Sequence, residues 1–74
     1  MNIYGYESDE SELVSLKEIT LQLTVSELDD LISFMQKTML LMQKHEDYGH
    51  EHYKDFKQDV TSNMPDIIIT KSNG

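Results

Sequence analysis

Apolar side chains recur at three- and four-residue steps along one stretch of the chain, Thr24 to Lys44, which reads TVSELDDLISFMQKTMLLMQK. Val25, Leu28, Leu31, Ile32, Met35, Met39 and Met42 fall on one face at that spacing, so the stretch predicts a single long amphipathic helix. Phe34 and Leu41 widen the apolar arc on one side, and Leu40 lies among polar neighbours on the other. Thr24 and Glu27 have the spacing of a capping box, in which hydroxyl and carboxylate each satisfy a backbone N–H of the first turn. Leu23 and Leu28 flank the cap as a hydrophobic staple. Glu27, Asp29 and Asp30 sit at the front and Lys37, Lys44 and His45 toward the back, which suits the helix dipole at both ends.

Upstream the period changes to two. Met1 to Tyr6 alternates weakly and predicts a short edge strand, followed by the acidic turn Glu7–Glu12. In Leu13–Leu23, residues Ile19, Leu21 and Leu23 alternate with Glu18, Thr20 and Gln22, the pattern of a half-buried strand. Val14 and Leu16 have the opposite parity, which a β-bulge or bend near Lys17 would reconcile; the alternative is a strand that begins near Lys17, with Leu13–Leu16 in a separate turn. The helix is expected to cover the apolar face of this strand. Downstream, Lys44–Phe56 is read as irregular, with Gly49 a left-handed terminator and the HEH stretch either extended or a short helical turn. Lys57–Met64 reads as a loop ended by Pro65. Asp66–Thr70 is an unbroken β-branched run, expected to form a well-covered strand, and the tail is polar. The order β-β-α-β gives an α+β domain spanning residues 1–74: one helix on a small sheet of three or four strands.

Composition narrows the function. Seventy-four residues make one small core, and the 14 acidic residues against six lysines give a net charge of −8. Such a surface repels phosphates and anionic lipid, disfavouring direct nucleic-acid or membrane binding, and it favours a basic protein partner. Cysteine is absent. That usage, with no signal-like N-terminus and no bilayer-length apolar run, leads us to expect a cytoplasmic protein.

Catalytic patterns are missing. There is no GxSxG elbow and no glycine-rich phosphate loop, and Asp29–Asp30 lie on an exposed helix face, so an enzyme is not expected and no cofactor is implied. His45, His50 and His52, with Glu46, Asp47, Glu51 and Asp55 nearby, have the chemistry for a divalent metal but match no structural zinc spacing.

Three stretches, ITLQLTVSELDDLISFM, YGHEHYKDF and PDIIIT, occur in an order that resembles the small immunity proteins of bacterial polymorphic toxin systems, in particular immunity protein family thirty-two. The resemblance covers Glu18 to Thr70, and its most specific pieces are His50-Glu51-His52 with Asp55, and Pro65-Asp66. It implies a cytoplasmic protein that binds and blocks a cognate toxin, and not an enzyme. The charge suits a basic toxin such as a nuclease. Charge density selects Glu46, Asp47, Glu51 and Asp55, with His50 and His52, as the contact surface, and Glu7–Glu12 as the next choice. Two other readings stand beside it: a metal-binding protein using His45, His50 and His52, and a homodimeric structural or regulatory domain joined through Leu40 and Leu41.

Overall fold

The long helix, α1, runs from Val25 to Lys44 in a computed structural model that describes residues 1–58 and 64–72. Its start is as the sequence predicts. The Thr24 backbone N–H donates to Glu27 Oε1 at 2.9 Å, and the Glu27 N–H donates to Thr24 Oγ1 at 3.1 Å. These bonds from the Thr24 backbone and hydroxyl hold the Glu27 carboxyl below its ordinary value. The end is different. Helix α1 stops at His45 in an extended conformation, Gly49 takes no positive φ, and Lys71 Nζ donates to the free Met42 carbonyl at 3.4 Å. A lysine reaching the last turn satisfies an orphan carbonyl and opposes the dipole, which removes the need for a left-handed glycine.

Among the described residues, five short elements accompany it. Strand β1 (Ile3–Gly5) pairs antiparallel with β2 (Val14–Leu16), Ile3 opposite Leu16. Strand β3 (His50–His52) pairs antiparallel with β4 (Ile68–Thr70), His50 opposite Thr70. Between the latter two lies a one-turn helix, α2 (Tyr53–Lys57). The architecture is therefore α+β, with two separate two-stranded sheets in place of a single three- or four-stranded one. HEH takes the extended alternative, forming the whole of β3, and the short helical turn follows it as α2. At Gly5 the hairpin closes tightly, since a Cβ there would stand 3.0 Å from Leu16 Cδ1.

The expected main strand is cut to three residues. Partner β1 offers only Ile3–Gly5, so the ladder ends at Leu16, and β3 and β4 satisfy each other. Residues 17–23 carry no strand or bulge, and Ile19, Leu21 and Leu23 are exposed. The last strand is an edge of its two-stranded sheet, with Ile68 exposed and Ile69 half-buried. Of the predicted loop Lys57–Met64, residue 57 ends α2, Gln58 adopts the left-handed conformation at φ 54°, and 59–63 lie outside the described residues.

The buried core is small and aromatic. Leu31 and Phe34 of α1 and Tyr53 of α2 are 4%, 2% and 6% exposed, with Phe56, Met64, Ile67 and Ile69 packed around them. The Phe34 ring meets Tyr53 edge-on at 5.2 Å and Phe56 at 5.5 Å, spacings at which tilted rings attract. Helix α1 thus faces β3–α2–β4, not the N-terminal strand, and it does so with Leu31, Phe34 and Thr38. The more regular row expected to be buried is rotated out: Met35 and Met39 are 45% and 53% exposed. The aromatic contacts favour this setting, because Phe34 packs against both Tyr53 and Phe56. Among the described residues, no helix is long and apolar enough to cross a membrane.

Candidate functional site: the acidic surface around the HEH strand

The alternation of β3 divides the HEH residues between two faces. His50 and His52 lie on one, their rings edge to face at 5.0 Å. Glu51 lies on the other, where it lines a shallow cleft of about 110 Å³ with Lys37, Thr38, Leu41, Asp55 and Phe56. Lys37 Nζ stands 5.7 Å from the centre of the Phe56 ring, within reach of a cation–π attraction. Glu46 and Asp47 are exposed in the turn beyond α1, where the Tyr48 N–H donates to the His45 carbonyl at 3.3 Å. The six residues selected by charge density are thus brought to three places: the turn, the cleft and the histidine face.

One residue ties that region together. Asp66, which the sequence offered only as half of Pro65-Asp66, accepts from three donors. The Lys54 and Ile67 N–H groups donate to Oδ1 at 3.0 and 2.9 Å, and His52 Nδ1 lies 2.6 Å from Oδ2. Helix α2 has no cap from its own preceding residue, so Asp66 caps it from a distant part of the chain. Burial pushes the Asp66 carboxyl up, but the bonds from His52, Lys54 and Ile67 outweigh that and hold it below its ordinary value. An ionised carboxylate only accepts, so His52 Nδ1 carries the proton of this bond. Tyr48 adds a second tie: its hydroxyl donates to the Ile69 carbonyl at 2.8 Å. Burial first, and the nearby Glu51 charge second, push this phenol above its ordinary value. Neither tie was legible beforehand, because both depend on which strands pair.

The metal ligands do not converge. His45 caps the end of α1, the His52 Nδ1 atom is committed to Asp66, and among the described residues no three His, Asp or Glu side chains are placed to hold an ion. Leu41 is half-buried in the cleft, while Leu40 is exposed on the flank of α1.

A second acidic surface lies at the N-terminal hairpin. The Ser11 hydroxyl donates to the Ser8 carbonyl at 2.7 Å and accepts from the Ser8 N–H at 2.9 Å, which fixes the turn. That turn displays Glu7, Asp9, Glu10 and Glu12, all exposed, beside an open groove of about 500 Å³ running past Tyr6, Val14 and Leu16. Among the described residues the ion pairs are His52–Asp66 and Lys57–Asp30, so none of these four carboxylates is neutralised. No model of a protein family, no curated protein and no solved structure matches the chain.

Proposed function

We propose that the protein acts by binding, as an acidic inhibitor that occupies a cationic groove on a partner protein. The partner that best fits its resemblance to immunity proteins is a basic toxin such as a nuclease. The observation that carries this reading is the display of charge. The chain has a net charge of −8, and six of its carboxylates are exposed and have no ion partner among the described residues: Glu7, Asp9, Glu10 and Glu12 on the hairpin, and Glu46 and Asp47 beyond α1. Carboxylates set on ordered turns mimic the phosphates such a groove binds, steer encounter, and lose that advantage as salt screens them.

The test is survival of cells that make the product of the neighbouring gene, with and without this chain. The proposal predicts rescue, weakened when Glu7, Asp9, Glu10 and Glu12 are all replaced by lysine. Equal survival with and without the chain would overturn it.

A further inference from the structure

The row that the fold leaves outside carries its own pattern. Val25, Leu28, Ile32, Met35, Met39 and Met42 follow one another at steps of three, four, three, four and three. That is an unbroken heptad seam, with Val25, Ile32 and Met39 in one register position and Leu28, Met35 and Met42 in the other. The first five are between 45% and 88% exposed, and the sixth is half-buried. An amphipathic helix normally has one apolar stripe. Helix α1 has two side by side: Leu31–Phe34–Thr38 for its own core, and this seam.

We infer that the seam pairs with the same seam of a second copy, antiparallel, to form a two-fold dimer. Three observations favour that occupant and orientation. Reversing one helix against the other sets Val25 against Met42 of the second copy, Leu28 against Met39, and Ile32 against Met35. Every layer then joins one branched side chain to one flexible methionine, and the layers have nearly equal volume, as close packing requires. A parallel pair would instead stack valine on valine and methionine on methionine.

The charges agree. Glu27, Asp29 and Asp30 crowd the start of α1, and Lys44 ends it. The antiparallel pair separates the two acidic starts and brings each near the other copy's Lys44, with Glu46 and Asp47 in the turn beyond it, whereas a parallel pair sets the two acidic starts, six carboxylates in all, side by side. Finally, the area is adequate. The exposed area of the six side chains is roughly 500 Å² per copy, at the low end for a specific interface, which suits a weak and reversible dimer. The pairing does not depend on the toxin reading.

Sedimentation equilibrium of the full chain between roughly 1 and 500 µM tests it. The expected result is a mass that rises from 8.6 kDa toward twice that value. Ile32→Glu should hold the chain at monomer mass throughout with its helical circular dichroism kept, because Ile32 is half exposed. Met39→Lys repeats the test at a second seam position, so loss of folding in one variant leaves the other to decide. Leu40→Glu, off the seam, should self-associate like the parent. A constant monomer mass, or self-association unaltered in both seam variants, overturns the inference. The chain lacks cysteine, so orientation is read from disulfides. A mixture of Val25→Cys and Met42→Cys chains should cross-link under oxidation. Efficient cross-linking of Val25→Cys alone would overturn the antiparallel arrangement.

Discussion

Replacing Asp66 should damage the fold far more than its place on a surface turn implies. Asp66→Ala removes the acceptor for the Lys54 N–H, which caps α2, and for the Ile67 N–H at the entrance to β4. Loss of a cap costs about 1 kcal/mol, and a second backbone bond about as much. The His52 pair adds less than about 1 kcal/mol, because its side chains are 35% and 24% exposed and water screens them. The total is roughly 2–3 kcal/mol, out of about 4–11 kcal/mol for a chain of this length. Asp66→Asn keeps an oxygen for both N–H groups and should lose only about 1 kcal/mol or less. Urea unfolding followed by far-ultraviolet circular dichroism reads both variants, and the slope should stay constant while the midpoint moves.

The pH dependence carries a second check. The Asp66 carboxyl lies below its ordinary value of 3.8 in the folded chain. Its ionised form is therefore favoured by folding, and its contribution is full above that value and lost as pH falls through the folded one. The gap between parent and Asp66→Ala should accordingly narrow on acidification below about pH 4. A loss under about 0.5 kcal/mol at pH 7, or an Asn variant as weak as the Ala variant, would refute the remote-cap role.

Other expectations follow from the same contacts. Phe34→Ala should cost about 3–5 kcal/mol and leave the chain largely unfolded at 37 °C by circular dichroism, since it empties the centre of the aromatic cluster. Thr24→Ala should cost about 1 kcal/mol in urea unfolding by opening the capping box. Tyr48→Phe should cost about 1 kcal/mol by freeing the Ile69 carbonyl. In the parent, ultraviolet titration should find the Tyr48 phenol ionising above its ordinary 10.0. That raised value disfavours the charged form in the fold, so stability falls as pH climbs past 10. Added Zn²⁺ should leave the thermal midpoint unchanged, against the roughly 2.7 kcal/mol that a site at 100 times its dissociation constant would add.

Local signals survived the passage from sequence to structure, and pairing signals did not. The Thr24–Glu27 box, the helix length and the acidic hairpin turn each depend on neighbours within a few residues, and each is where the sequence placed it. The strand at 17–23 had the right alternation, but a strand also needs a partner of matching length, and β1 supplies three residues. The rotation of α1 was misread for a related reason. A seven-residue apolar rhythm says that a face is buried against something, without saying whether that something is the same chain. Phe34 stood at the edge of that rhythm, and Thr38 outside it, yet both are buried because Tyr53 and Phe56 come to meet them. Within the acidic surface, the choice of Glu46, Asp47, Glu51 and Asp55 rested on charge density, which is visible in one dimension. Asp66 and Tyr48 act across β3 and β4, which is not.

The setting of α1 about its own axis governs which residues fold the chain and which are left for partners. Isotope-edited nuclear Overhauser spectra of the parent at low micromolar concentration measure it directly. The account predicts cross-peaks from the Phe34 ring to both Tyr53 and Phe56, with ring centres 5.2 and 5.5 Å away, and none from the Met35 or Met39 methyls to those rings. Cross-peaks from Met35 and Met39 to Tyr53, with Phe34 silent, would show the helix turned the other way and would contradict the account.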